Sequence, residues 1–248
     1  MQLTEPTHPK TMSIGKTLSY SAGGRSYVVA DVHGCVKTLQ HLLEKKLLFS
    51  KKDQLFLLGD YINKGKDSKG VLDYLIELKR KGFLIFPLRG NHEEELLNRM
   101  PHYYAFQKYI RANSLENLLD EQGKLAAKYL RFLEKLPYYY ELPQHLLVHA
   151  GFNFEISNPY EDTKAMLWIR QPVNGYAQYT EKTIIHGHQP VPLEVIQRSL
   201  TTKSKVIPLD NGCVYAHRKM LDIPEGYLGR LCALCLENHE LYVQENID

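Results

Sequence analysis

The 248-residue chain has four cysteines, one tryptophan and a net charge of only +3. Four cysteines in this length are too few for a disulfide scaffold and imply free thiols. The charge, 31 basic against 28 acidic residues, is too slight to make nucleic acid the main partner. No apolar run approaches the roughly 20 residues of a membrane-spanning helix. Met1 to Ser13 is polar, carries Pro6 and Pro9, and lacks the apolar core of a secretory leader. The expectation is a cytoplasmic protein with neither a membrane nor a nucleic acid as partner. A hydrophobic fraction of 44% and a charged fraction of 24% are those of a globular chain able to bury a full core.

The pattern along the chain predicts α/β architecture. Residues 1–16 read as a flexible tail. Thr17 to Tyr20, Ser26 to Ala30, Gln54 to Leu58 and Phe83 to Leu88 read as strands. Between them, Val36 to Leu48 and a segment capped by Ser68 and reaching Arg80 have helical spacing, the latter stopped by Gly82. Alternating strand and helix argues for parallel crossovers. From about 94 to 137 the rhythm breaks into leucines at helical intervals, a helical insertion. Strands are expected afterwards, at His145 to Ala150, Thr183 to His186, Leu193 to Gln197, Val206 to Leu209, Gly212 to Ala216, Arg230 to Leu236 and Leu241 to Gln244. With no long linker, residues 17–248 are expected to form one domain.

The chemistry lies in five polar clusters, each following an apolar run: Asp31-Val32-His33-Gly34, Gly59-Asp60-Tyr61-Ile62-Asn63-Lys64-Gly65, Arg89-Gly90-Asn91-His92-Glu93, His149-Ala150-Gly151 and His186-Gly187-His188-Gln189. Ligands in open α/β sheets bind beyond the carboxyl ends of strands, so these side chains should meet at one edge. Adjacent glycines let the backbone turn tightly there. Carboxylate, imidazole and amide oxygen together suit a pair of divalent cations, which can clamp a phosphoryl group and a water at once. One such cluster alone is usually a cap or a surface feature; five in this order are not coincidence.

The clusters resemble the phosphoprotein phosphatase branch of the calcineurin-like metallophosphoesterases, whose pattern is D-x-H-G, G-D-x-x-D-R-G, G-N-H-E, H-A/G-G and G-H. The segment Leu209 to Tyr215 is similar to the D-T-G-C-V-Y strand of bacterial members. The resemblance covers about 27–243 and implies a central mixed β-sandwich flanked by helices. It implies that Asp31, His33 and Asp60 hold a first metal. Asp60 bridges to a second, held also by Asn91, His149 and His188. Manganese is the expected ion, with iron or zinc as alternatives. His92 matches the proton donor to the leaving group, and Arg170, in Trp168-Ile169-Arg170, the arginine that grips phosphate together with Lys64 and Asn91. Pro190 stands where nuclease and phosphodiesterase relatives carry a second histidine. His186 reads as a supporting residue and Arg89 as a structural one.

Two positions depart from the pattern. The family's Asp-Arg pair is Asn63-Lys64 here, so Asn63 can orient His92 but supplies no charge, and Lys64 lacks the guanidinium fork. The implied activity is hydrolysis of phosphoserine or phosphothreonine proteins, or of small phosphoesters, by metal-activated water. Diadenosine tetraphosphate hydrolysis is the closest rival. A phosphoprotein-binding module with weakened turnover is the alternative of another class. Cys232 and Cys235, at odd spacing on a strand, should point to opposite faces and hold no metal. Packing is the expected role of Trp168 and of the tyrosines at 103, 104, 109 and 138–140, with roofing of the site as the alternative for the tyrosines.

Overall fold

The protein is described by a computed structural model covering residues 14–170, 180–216 and 223–248. Its strands form two five-stranded mixed sheets. In the first, β2 (Ser26–Val29), β3 (Gln54–Leu57) and β4 (Leu84–Pro87) run parallel, and β9 (Arg230–Cys235) and β10 (Leu241–Glu245) extend it antiparallel. The second has the order β1 (Gly15–Thr17), β5 (Tyr139–Glu141), β6 (His145–Val148), β7 (Thr183–His186) and β8 (Val206–Pro208), with β6, β7 and β8 parallel.

Strand period explains the layering. In β2 and β3, Tyr27, Val29, Leu55 and Leu57 face α1 (Val36–His41) and α2 (Ser68–Arg80), while Val28 and Phe56 face the second sheet. Leu147, Ile185 and Ile207 meet them from that sheet. On its far face, Leu146, Val148 and Ile184 lie under Phe152, Phe154 and Met166, the last from α6 (Thr163–Trp168). Burial on both faces is why these strands read as continuous apolar runs. Cys232 joins the core between the sheets and Cys235 the core under the helices, on the opposite faces expected.

Several boundaries differ from the expectations. The expected tail lies outside the described residues up to 13, but Gly15 and Lys16 belong to β1, paired with Tyr139 and Tyr140. The helix from Val36 widens into a π-helical turn over Leu42–Lys46, and Leu48 adopts φ +48°. Asp67, not Ser68, caps α2: its Oδ1 accepts from Gly70 N at 2.7 Å, while Ser68 Oγ accepts from Asn63 N at 3.0 Å. The segment from about 94 to 137, expected as a helical insertion, contains α4 (Tyr103–Ala112), α5 (Ala127–Glu134) and most of α3 (Asn91–Arg99), which starts ahead of it. The segment expected as a strand at Leu193 is helix α7 (Leu193–Thr201), because Leu193, Ile196 and Leu200 share a helical face against the core. The strand expected from Gly212 is a 3₁₀ turn, entered through Gly212 at φ +64°. Helix α6 was not foreseen.

Candidate metal centre

The five clusters do gather, though not at the edge of one sheet. Asp31, Asp60 and Asn91 follow β2, β3 and β4, whereas His149 and His188 follow β6 and β7, so the groups meet at the open end of the sandwich. The turns that aim them are conformationally costly. Among the described residues, His33, Asp60, Asn63, Lys64 and His188 all have positive φ, between +44° and +68°. Left-handed backbone at non-glycine residues concentrates where function over-determines it. Gly59, at φ +111°, allows a close approach: a Cβ there would lie 2.7 Å from Gly90 N and 2.9 Å from His149 Nδ1. Gly59→Ala is expected to cost roughly 1–3 kcal/mol by denaturant unfolding and to weaken metal binding in the same preparation.

Hydrogen bonds fix which atoms face inward. His149 Nδ1 donates to Leu58 O and His33 Nδ1 to Ile62 O, both at 2.9 Å, leaving each Nε2 unprotonated and an acceptor. His149 Nε2 is 2.9 Å from Asn91 Oδ1 and 3.6 Å from Asp60 Oδ1. His188 Nδ1 lies 3.0 Å from the same asparagine oxygen and 3.2 Å from His149 Nε2. On the other side of this carboxylate, Asp60 Oδ2 is 3.3 Å from His33 Nε2 and 3.8 Å from His92 Nε2. Candidate ligand atoms of His33, Asp60 and His92, and separately of Asp60, His149 and His188, lie within 4.8 Å of one another. Asp31 is outside both groups; its buried carboxylate accepts from His188 N at 3.1 Å.

These donors fit divalent cations. His149 Nε2, Asn91 Oδ1 and Asp60 Oδ1 are acceptors facing one another, an arrangement that is repulsive unless a cation lies among them. His188 Nε2 is buried without a hydrogen-bond partner among the described residues. Burial pushes the imidazoles of His149 and His188 down to about 3 and about 2, so both are neutral and able to ligate. Burial also raises Asp60 to about 7. It raises Asp31 well above the carboxylate range, with the neighbouring Asp210 and Asp60 charges adding to the effect.

Around this centre, His92 Nδ1 is 2.6 Å from Asn63 Nδ2, which also donates to Tyr109 Oη at 2.6 Å; Tyr109 in turn donates to His92 O. In this amide orientation Asn63 donates to Nδ1, the ring proton lies on Nε2 facing Asp60, and Asn63 Oδ1 has no hydrogen-bond partner among the described residues. His92 is held down to about 3, first by burial and then by the Lys64 charge. Lys64 Nζ donates to His33 Nε2 at 2.9 Å and lies 5.7 Å from the Tyr215 ring centroid. Arg170 is exposed, and its charge helps to lower His188. Arg89 pairs with Glu94 at 2.6 Å and donates to the carbonyls of Leu133 and Glu134 at the end of α5, a structural role. His186 ends β7 with Nδ1 on Gly187 O.

Two residues, Glu93 and Asp210, were given no role by the sequence. Glu93, wholly buried, accepts from the backbone N–H of Asp60, Tyr61, Ile62 and Gly90 and so clamps two ligand-bearing loops together. Its place in the Gly90 to Glu93 cluster was the only signal. Asp210 is buried beside Asp31, and its carboxylate, raised to about 6 mainly by burial, accepts from Gly212 N. Tyr109 belongs to the site, whereas Tyr138 and Tyr140 pack elsewhere and Tyr103 and Tyr104 are exposed. Trp168 corrects an expectation: it is not core but 40% exposed, edge-on to His188 at 6.3 Å between centroids. The end of α6 turns its indole toward the mouth of the site instead of the apolar layer.

Two sheets whose loops converge on carboxylates, imidazoles and an asparagine define a metal-dependent phosphoester hydrolase. The chain belongs to the calcineurin-like phosphoesterase family, whose model matches residues 24–220. It is 27% identical to the symmetrical bis(5′-nucleosyl)-tetraphosphatase of Nitrosospira multiformis over 215 residues, 82% of this chain and 74% of that protein. It is 32% identical to the enzyme of the same name from Cellvibrio japonicus over 128 residues, 51% of this chain and 44% of that one. A crystal structure of a putative diadenosine tetraphosphatase superposes with a TM-score of 0.63 at 25% identity, covering 95% of this chain and 99% of the other. A protein serine/threonine phosphatase from Saccharomyces cerevisiae superposes with a TM-score of 0.60 at 16% identity, over 95% of this chain and 84% of that one, a likeness of fold alone. Among the described residues, no helix is long and apolar enough to cross a membrane.

Proposed function

We propose that this protein hydrolyses bis(5′-nucleosyl) tetraphosphates, water cleaving the central phosphoanhydride to give two nucleoside diphosphates. In this reading Asp31, His33 and Asp60 hold one divalent metal, and Asp60, Asn91, His149 and His188 hold a second. Bound there, the ions supply an acidified water and neutralise charge on the phosphoryl oxygens. Manganese suits the oxygen and imidazole donors. Lys64, Arg170 and Asn91 orient the phosphate chain, whose anionic oxygens favour such partners. Exposed Trp168, beside His188, offers an aromatic edge and face to a nucleobase.

The observation that carries this choice of substrate is the contact of Asn63 with His92. An aspartate there would stabilise an imidazolium ready to protonate a leaving alkoxide. The amide, donating to Nδ1, holds a neutral ring that can offer a hydrogen bond from Nε2 but is a poor proton donor. A phosphoserine needs its alkoxide protonated; a nucleoside diphosphate leaves as a stable anion. The site is therefore better matched to an anhydride than to an alkyl ester. Hydrolysis of phosphoserine or phosphothreonine is the second reading, favoured by the placement of His92 Nε2 facing the bridging carboxylate at 3.8 Å.

A manganese-supplemented panel tests the choice. It contains diadenosine tetraphosphate, p-nitrophenyl phosphate, and phosphoserine, phosphothreonine and phosphotyrosine peptides. The dinucleotide is expected to exceed the phosphoserine peptide in kcat/KM by at least about tenfold, about 1.4 kcal/mol of transition-state preference. The reverse order would move the assignment to phosphoproteins, and binding of phosphoprotein with no turnover of any substrate would make the chain a binding module.

A further inference from the structure

A second charged site lies away from the metal centre. A cleft of about 570 Å³ opens between the C-terminal half of α2, helix α5 and strand β1, and shares no residue with the centre. Lys79 is eleven residues along α2 from Ser68, which contacts the Asn63 turn. At 1.5 Å per residue that places it about 17 Å further along the helix.

Among the described residues, six cations line the cleft, Lys16, Lys79, Arg80, Lys128, Arg131 and Lys135, and no acidic side chain does. Arg80 and Lys128 are neutralised by Glu77 and Asp73. Lys16, Lys79, Arg131 and Lys135 have no ion pair among the described residues. Four uncompensated positive charges in one cleft stand out in a chain whose whole net charge is +3. They also sense one another: the Lys79 ammonium lies below its ordinary value, first through burial and then through repulsion by Lys16 and Lys135. Like charges held together beside a low-dielectric surface focus a field for an anion.

The floor is apolar. Phe132, Leu136, Pro137 and Tyr140 form it, all buried. Across the wall made by Lys16, Lys79 and Tyr140, a second cleft of about 350 Å³ is lined by Phe83, Leu84 and Phe86. Both volumes fall in the range of small-molecule sites, in which an apolar lining carries the body of the ligand and a few polar groups fix its orientation. A hydrated inorganic anion would gain nothing from such a floor. A planar aromatic body attached to several phosphates would use both features, and Arg131 adds a guanidinium able to take phosphate oxygens in pairs.

We propose that this cleft binds a nucleoside di- or triphosphate, phosphates against Lys79, Arg131 and Lys135 and the base over the apolar floor, independently of the metal centre. It does not depend on the substrate assigned to that centre.

The test is equilibrium dialysis of ADP with the full-length Asp60→Ala chain, in which the metal centre is disabled, and with the manganese-loaded wild type. The Asp60→Ala chain is expected to retain one ADP. Adding Lys79→Glu and Lys135→Glu together, or Arg131→Glu alone, should weaken that binding at least tenfold. The same charge reversals in the wild type should leave p-nitrophenyl phosphate turnover unchanged. Affinity should fall as salt is raised, and pyrophosphate and adenosine should each bind at least tenfold more weakly than ADP. Absence of ADP from the Asp60→Ala chain would overturn the proposal, as would binding indifferent to both sets of charge reversals. Pyrophosphate binding as tightly as ADP would overturn the nucleotide assignment. The single Arg131→Glu variant decides the matter if the double variant does not fold.

Discussion

Replacing Asp60 by alanine is expected to abolish metal-dependent hydrolysis, with a loss of about 10³-fold or more for every phosphoester tested. Its two carboxylate oxygens reach different histidines, Oδ1 toward His149 at 3.6 Å and Oδ2 toward His33 at 3.3 Å. Among the described residues, Asp60 is the one member common to both groups of candidate ligands, so its loss separates them. Stabilising charge on a phosphoryl group by metal ions amounts to several kcal/mol, and each 1.4 kcal/mol is about tenfold in rate. Elemental analysis of the purified variant should find no more than one tightly held metal per chain. Oδ1 also accepts from His92 N, so the turn that starts α3 loses a support. Wild-type rates with two metals retained in the variant would remove Asp60 from its bridging role.

The second large effect concerns His92 and depends on substrate. His92→Ala should slow hydrolysis of a phosphoserine peptide by roughly 10²-fold, the usual range for a lost acid catalyst or its hydrogen bond. For p-nitrophenyl phosphate and diadenosine tetraphosphate, whose leaving groups need little protonation, the loss should be much smaller. Asn63→Asp runs the comparison in the other direction. A carboxylate 2.6 Å from Nδ1 would accept its proton and favour imidazolium, raising a pKa that burial and the Lys64 charge now hold to about 3. A raised pKa keeps His92 protonated to higher pH, so the alkaline limb for the phosphoserine peptide should move upward and its rate near neutrality should increase. The rate on diadenosine tetraphosphate should hardly change. An unmoved limb, or equal gains on both substrates, would mean that Asn63 does not set the proton affinity of His92.

The residues of the candidate centre were legible because they are punctuated. Each stands where an apolar run stops, beside a glycine that frees the backbone, and the two-residue period of the strands fixes where such a run ends. The fold class followed from the same alternation. Segments whose apolar residues satisfy two periods were not legible. Leu193 to Gln197 reads as a strand until Leu200 completes a helical face, and residues just before it, around Pro192, hide the helix start. The sequence also could not tell which of two neighbouring polar residues caps α2, since Asp67 and Ser68 can both do so and only the contact with Asn63 N claims the serine. Long-range polar partners were invisible for a similar reason. Nothing near Tyr109 in sequence says that its hydroxyl meets Asn63, 46 residues away, or that Glu93 gathers four amides from two loops. Trp168 was misread because an aromatic residue in an apolar stretch usually packs inward, and here the end of α6 turns it outward.

Anomalous diffraction from a manganese-soaked crystal of the wild-type protein tests the centre most directly. Two peaks per chain are expected, about 3.5–4 Å apart as in two-metal sites. One should be ligated by Asp31, His33 and Asp60, the other by Asp60, Asn91, His149 and His188, with Asp60 common to both. A single peak in well-ordered density, or two peaks held by other side chains, would contradict it.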